Sequence, residues 1–198
     1  MEKFYLELPS INRKKEIIDY IYEFVKYNSD LNGIGILDQI LEGMNFEEAL
    51  ELSLKMKYKK YAKKYGRIQS KTFLLIRAND NKIVGSINIR WNLSKEMLKF
   101  RGHIGYGIRP TERKKGYNKI NLYLGLMMAY EMGLDKVMIA CEANNKPSDR
   151  TLKALGGVLE RSEIDPYDGL LTNVYWFDVL NCLNNYKDKY YPYVYKKQ

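Results

Sequence analysis

Between Arg101 and Cys141 the chain passes from a β-rich run through a long helical stretch into five consecutive apolar residues, Val137-Met138-Ile139-Ala140-Cys141. An apolar run this short suits a strand buried on both faces, as in parallel pairing. A helix between two such strands is the connection that parallel pairing requires. A strand–helix–strand crossover of this kind confines the chain to a sheet with helices on its faces.

The surrounding sequence fills in that architecture. Residues 11–27 place Ile17, Ile21, Phe24 and Val25 at helical spacing, and a short helix follows around Ile36–Glu42. A long helix then starts at Asn45 as N-cap, with Glu47, Glu48 and Glu51 early, Lys55 to Lys64 late and Gly66 as its stop. Thr72–Ala78 and Lys82–Trp91 read as a hairpin through Asn79-Asp80-Asn81, Arg101–Arg109 as a strand and Lys114–Met132 as a helix. A short helix, Ser148–Leu155, precedes two last strands, 158–164 and 171–180. The expected fold is a mixed α+β (α/β) sandwich with one βαβ unit at its centre. No linker, repeat or composition break divides the chain, so one domain is expected over residues 1–198: a helical part to 68, a sheet over 70–180 and a tail over 181–198. Tyr186, Tyr190, Tyr191, Tyr193 and Tyr195 make that tail aromatic enough to pack against the domain or against a second subunit as a homodimer.

Charge narrows the partners. The chain carries 33 Lys plus Arg against 24 Asp plus Glu, a net charge of +9. An excess of this size attracts nucleic acid, an anionic membrane or a phosphate-rich ligand. The densest cationic run, Lys55 to Lys64, ends a helix that begins with acids, as the helix macrodipole favours. It reads as a solvated helix end, and nucleic acid is the weaker expectation. No apolar run approaches the ~18–20 residues of a membrane span, and the N-terminus lacks a signal-peptide layout. Two cysteines and one histidine supply neither a disulfide framework nor a metal cluster, so a reduced, cytoplasmic setting without metal is expected.

The stretch that carries chemistry is Gly102-His103-Ile104-Gly105-Tyr106-Gly107-Ile108-Arg109-Pro110-Thr111-Glu112-Arg113-Lys114-Lys115-Gly116-Tyr117-Asn118. Gly105 and Gly107 share one face of a strand, a pattern that marks close approach of a ligand or of backbone. The helix after Pro110 opens on Arg113, Lys114 and Lys115, against its own dipole. Cations there cost a few tenths to ~1 kcal/mol each. An anion bound to the free N–H groups would reverse the sign, and Gly116 would let it come close. An ordinary basic helix start with a packing glycine is the plain alternative. The order of residues fits neither of the common glycine-rich phosphate loops.

Arg113-Lys114-Lys115-Gly116-Tyr117 resembles the [QR]-x-x-G-x-[GA] signature of the GNAT superfamily of acyl-CoA-dependent N-acetyltransferases. Ala140-Cys141-Glu142-Ala143-Asn144-Asn145-Lys146-Pro147-Ser148, with Leu152-Lys153-Ala154-Leu155-Gly156-Gly157 after it, is similar to that family's next strand, loop and helix. The likeness spans roughly residues 70–178. It implies a central mixed, mostly antiparallel sheet with one parallel βαβ crossover, flanked by helices. It also implies acetyl transfer from acetyl-CoA to the primary amine of a small molecule or peptide. By the same resemblance the pantetheine arm pairs with backbone near Gly107 and Ile108. The N–H groups of Arg113, Lys114, Lys115, Gly116, Tyr117 and Asn118 hold the pyrophosphate, and Asn145 and Ser148 lie beside the arm.

Three positions depart from the family pattern. Asn118 replaces the final Gly or Ala, Leu152 stands where a tyrosine often serves as general acid, and Gly102 stands where some members carry a carboxylate base. Direct attack by an amine still needs a base, a polarised carbonyl and a proton for the leaving thiolate. The amide near Ile108 suits the carbonyl. His103 or Glu142 would relay protons, and Tyr175 or Tyr106 would be the acid. A structural role for His103 and a solvated strand end for Glu142 compete with these roles. Cys141 reads as a buried strand thiol, not a nucleophile. An acyl-CoA-binding sensor without turnover is the rival that Leu152 and Gly102 motivate.

Overall fold

The computed structural model describes residues 1–195; residues 196–198 of the expected tail lie outside the described residues. The chain opens on β1 (Phe4–Glu7), a strand that four residues are too few to announce by alternation. Five helical segments follow before the next strand: a 3-10 turn over Ile11–Arg13, α1 (Lys14–Lys26), a 3-10 turn over Gly35–Glu42, α2 (Phe46–Lys55) and α3 (Lys59–Lys64). Then β2 (Ser70–Arg77), β3 (Lys82–Arg90), the single turn α4 (Met97–Phe100) and β4 (Ile104–Ile108) complete an antiparallel sheet in the order β1-β2-β3-β4. The helix α5 (Tyr117–Glu131) crosses to β5 (Lys136–Glu142), followed by α6 (Lys146–Ala154), β6 (Val158–Ile164) and β7 (Leu171–Asp178). These last strands form a second antiparallel sheet in the order β5-β7-β6. The short helices α7 (Val179–Asn185) and α8 (Lys187–Tyr190) close the fold.

Helices cover both faces of the first sheet. Ile17, Tyr20, Ile21 and Phe24 of α1 pack on Leu74, Ile76 and Ile83. On the opposite face Ile120, Leu122 and Leu126 of α5 share a core with Leu75, Val84, Ile87 and Ile89. Val25, expected on the buried stripe of α1, is 55% exposed. It lies about 90° round the helix from the centre of that stripe.

The long helix expected from Asn45 is two helices. Asn45 does cap α2, its Oδ1 accepting the Glu48 N–H at 2.8 Å, but Tyr58 turns extended and α3 restarts after it. Met56 and Ala62 both enter a small core with Ile36 and Leu52. On an unbroken helix, residues six apart sit about 120° away from each other, so only a break brings both inward. Several lysines of this run lie on neighbouring tyrosines. Lys57, Lys60 and Lys64 sit 5.1, 5.0 and 5.4 Å from the ring centroids of Tyr58, Tyr61 and Tyr65.

The seam between the sheets corrects the expected parallel pairing. The crossover through α5 is present, but the ladder of β5 is antiparallel and runs to β7. Its link to the β4 segment is confined to one end, an isolated bridge between Gly102 and Ile139 with the His103 N–H donating to the Met138 carbonyl at 2.7 Å. A run of buried residues does not distinguish a parallel strand from one that lies at the seam of two diverging sheets. Gly102 is the hinge of that seam. Its φ is +69°, and a Cβ there would stand 2.4 Å from the Met138 carbonyl oxygen. No carboxylate-bearing residue fits this backbone. Gly102→Ala is expected to cost about 2–4 kcal/mol in urea unfolding, from the left-handed strain and the displaced strand. A cost under about 0.5 kcal/mol, the level of an ordinary surface change, would contradict the seam.

The tail packs on its own domain. Tyr186, Tyr190, Tyr191 and Tyr193 join the core around α5, and the Tyr195 N–H donates to the Phe4 carbonyl at 2.7 Å. Val194 bridges Phe4 in parallel, so the tail covers the edge of β1. Among the described residues no helix is long and apolar enough to cross a membrane, and no group of three or more His, Cys, Asp or Glu is placed to hold a metal ion.

Candidate functional site

Where β4 and β5 part, they leave a cleft of about 890 Å³, walled by β4, the turn into α5, the end of β5 and the first turn of α6. The edge of β4 supplies backbone groups to it. The Arg90 N–H donates to the His103 carbonyl at 2.7 Å and the Arg109 N–H to the Val84 carbonyl at 3.0 Å, so the odd-numbered residues of this strand bond to β3. Antiparallel alternation turns the N–H and C=O groups of Tyr106 and Ile108 the other way, toward the gap. The Ile108 carbonyl accepts from Arg113 Nε at 3.1 Å.

The turn from β4 into α5 is built by two carboxylates. Glu23 on α1 accepts from Arg109 Nε at 2.6 Å, and from the N–H and hydroxyl of Thr111 at 3.0 and 2.8 Å. Glu112, almost fully buried, binds Arg77 at 2.9 Å, Lys82 at 2.7 Å and Lys115 at 2.7 Å. Burial alone would raise the Glu112 carboxyl, but the bonds from Lys115, Lys82 and Arg77 outweigh it and bring it down to about 2. Lys114 (φ +64°) and Gly116 (φ +82°) both adopt the left-handed conformation, on either side of Lys115. Alternating hands of this kind turn successive N–H groups inward into an anion-binding concavity. The helix that follows has no side-chain N-cap and no acid in its first turn, which leaves its N–H groups directed at the cleft. Arg113 and Lys114 line the cleft, and neither makes an ion pair within the described residues.

A polar floor joins the two halves. The Tyr106 hydroxyl lies 2.6 Å from Ser148 Oγ, and Asn118 Nδ2 donates to Thr151 Oγ1 at 3.3 Å. Asn118 Oδ1 is buried and has no hydrogen-bond partner among the described residues. Burial, only partly offset by the bond to Ser148, holds the Tyr106 hydroxyl above its usual range. Asn145 caps α6, its Oδ1 accepting from the Ser148 N–H at 3.1 Å.

The structure brings Gly107, Ile108, Arg113, Lys114, Gly116, Tyr117, Asn118, Asn145, Ser148 and Glu142 to one cleft. Lys115 is outside it, drawn to Glu112. The Tyr117 ring also points away, its hydroxyl donating to Glu2 at 2.7 Å, so only its backbone addresses the site. His103 does not line the cleft. Its Nδ1 accepts the Met138 N–H at 3.0 Å, its ring meets Trp176 edge-on, and burial lowers its pKa. Tyr175 is buried with its hydroxyl on Asp149 at 2.5 Å. The glycine face of β4 is occupied by the chain itself: a Cβ on Gly107 would stand 2.6 Å from the Asn32 carbonyl oxygen. The ligand-sized space runs along the strand's edge, with Gly105, Gly107 and Asn32 on its wall. Asn32, Arg90 and Arg101 also line the cleft; no motif marks them, because they arrive from elements far apart in sequence.

The family model described as "Acetyltransferase (GNAT) domain" matches residues 42–158. No curated protein matches the sequence. Among solved structures, the ribosomal-protein-S5-alanine acetyltransferase from Vibrio fischeri is 17% identical, with TM-score 0.65 over 90% of this chain and 94% of that one. A microcin C7 self-immunity acetyltransferase in complex with acetyl-CoA and AMP is also 17% identical, with TM-score 0.60 over 89% and 92%. The spermidine N-acetyltransferase from Vibrio cholerae in complex with CoA and spermine is 12% identical, with TM-score 0.61 over 90% and 99%.

Proposed function

The chain belongs to the GNAT acetyltransferase family, and from that premise we propose that it moves an acetyl group from acetyl-CoA directly to a primary amine of a small molecule or peptide in the cytoplasm. The observation that carries this reading is the turn 113–118. Glu112 draws Lys115 away from it, which leaves Arg113, Lys114 and an uncapped helix start facing the cleft. Such an arrangement is unfavourable without an anion and favourable with a pyrophosphate.

Acetyl-CoA as substrate supplies the electrophilic thioester; the chain binds and orients it. The N–H groups of residues 113–118 take the pyrophosphate, and the outward edge of β4 at Tyr106 and Ile108 pairs with the pantetheine arm. The unpartnered Asn118 Oδ1 is an acceptor that this donor can satisfy. A β4 N–H would then polarise the thioester carbonyl. Tyr106 is the group best placed to give a proton to the leaving thiolate. It lines the cleft, burial keeps it protonated, and Leu152, at the family's usual acid position, is fully buried. Glu142, exposed at the end of β5, is the candidate base. Asn145 and Ser148 position the arm from α6. His103 and Tyr175 take no part in this scheme.

Thiol release from acetyl-CoA across a panel of primary amines tests the reading. Turnover on at least one amine, with Tyr106→Phe lowering kcat by about 10²–10⁴-fold at similar acetyl-CoA affinity, is expected for a lost general acid. Saturable CoA binding without turnover on any amine would favour the acyl-CoA sensor instead.

A further inference from the structure

Arg90, the last residue of β3, is a cation with no anion. Its Nε is buried with no hydrogen-bond partner among the described residues, and its Nη2 reaches only the Arg101 carbonyl, at 3.5 Å. Burial, and then the like charge of Arg101, lowers its pKa to about 10. No carboxylate among the described residues is within ion-pair distance of it. Asp38 is engaged by Arg67 at 3.0 Å, and Asp165 lies 3.8 Å from Arg101. Arg90 as a whole is half-buried, and a guanidinium with a buried nitrogen that no acceptor meets is unfavourable, so an anion that reaches it is stabilising.

Its position says what that anion is for. The guanidinium lies over Gly105, where an added Cβ would stand 3.1 Å from Nη2. Arg90, Arg101 and Gly105 line both the main cleft and an adjoining cavity of about 360 Å³. The Arg113 turn is at the far end of β4, so Arg90 marks the opposite end, where the acceptor has to enter. Gly105 is one residue from Tyr106, roughly 3–4 Å along the strand. Asp30 and Asp168 also line this cleft and suit an ammonium group.

We propose that Arg90, assisted by Arg101, binds an anionic group carried by the acceptor itself, so that the substrate is an amine bearing a carboxylate or phosphate and not a polycation. This rests on the acetyl-transfer reading above. The anion anchors the acceptor at Gly105, and its amine then faces the thioester beside Tyr106.

The test is calorimetric titration of the CoA-loaded full chain with L-alanine, L-glutamate, L-lysine, phosphoethanolamine, L-alanine amide and spermidine, on wild type and Arg90→Gln. The tightest probe is expected to carry a carboxylate or phosphate, and to bind about tenfold or more tightly than the amide or the polyamine, as a charge-assisted bond predicts. Arg90→Gln should remove that advantage, Arg90→Lys should restore part of it, and CoA affinity should not change. Phosphoethanolamine against the amino acids separates phosphate from carboxylate. Arg90→Gln should not lower Tm without ligand, because a half-buried cation with no counter-charge is gone; this readout keeps a folding defect from imitating lost binding. Tightest binding by spermidine or the amide would overturn the proposal, as would silence of all anionic probes or their full retention in Arg90→Gln. Failure of CoA itself to bind would instead overturn the acetyl-transfer reading.

Discussion

Glu112→Ala is expected to lower the unfolding free energy by about 3–5 kcal/mol at neutral pH, the range found when one partner of a buried ion network is removed. Glu112 is 3% exposed and is the common acceptor for Arg77, Lys82 and Lys115. Its loss leaves three cations around an apolar void. The pH dependence gives an independent reading. The carboxyl ordinarily titrates at 4.5 and is held at about 2 in the fold, against burial and by its three cations. A depressed folded pKa means that the contribution is present above the unfolded value and fades as pH falls from about 5 toward 2; the shift corresponds to about 3 kcal/mol. Urea unfolding of wild type and variant should therefore converge on acidification. A difference that stays constant between pH 7 and pH 3 would contradict the ionic account.

Reversing both free cations of the turn, Arg113→Glu with Lys114→Glu, is expected to weaken CoA binding by about 100-fold or more, since each charge-assisted contact to phosphate contributes roughly 1.5–3 kcal/mol. Stability should change little, because Arg113 holds the Ser29 hydroxyl, the Ile108 carbonyl and the face of the Phe24 ring but no carboxylate, and Lys114 makes no ion pair among the described residues. Lys115→Glu should behave in the opposite way. It places a like charge against Glu112 and lowers stability, while CoA affinity of the folded protein falls by less than about tenfold. Titration calorimetry and urea unfolding on the same three proteins read both quantities. A larger loss of CoA affinity from Lys115→Glu than from the double reversal would contradict the division of labour in the turn.

That division marks how far the sequence can be read. The basic turn with its glycine was visible because local chemistry creates it: a helix starting on cations, against its dipole, is anomalous within a few residues of chain. The Asn45 cap is legible for the same reason. Lys115 was not, because its partner Glu112 is held by Arg77 and Lys82 from the hairpin β2–β3, and no short window contains all four. The Gly105/Gly107 face was read correctly as a place of close approach, but the visitor is the chain's own Asn32–Gly33 backbone. His103 and Tyr175 carry chemistry by residue type; only the fold shows their polar atoms turned to Met138 and Asp149. The apolar run of β5 announced burial without saying that a seam, not a parallel neighbour, buries it. Arg90 has no local signature, since its oddity is the absence of a partner.

The central claim is that the cleft between β4 and β5 takes a coenzyme A thioester through the turn 113–118. Calorimetric titration of the full chain with CoA, beside pantetheine lacking the phosphates, tests it most directly. The account predicts one-to-one saturable binding of CoA at or tighter than the ~1 µM–1 mM range of enzyme substrates, with pantetheine about tenfold or more weaker because it gives the turn no anion to hold. Equal affinity for the two, or no binding of CoA by the folded chain, would contradict it.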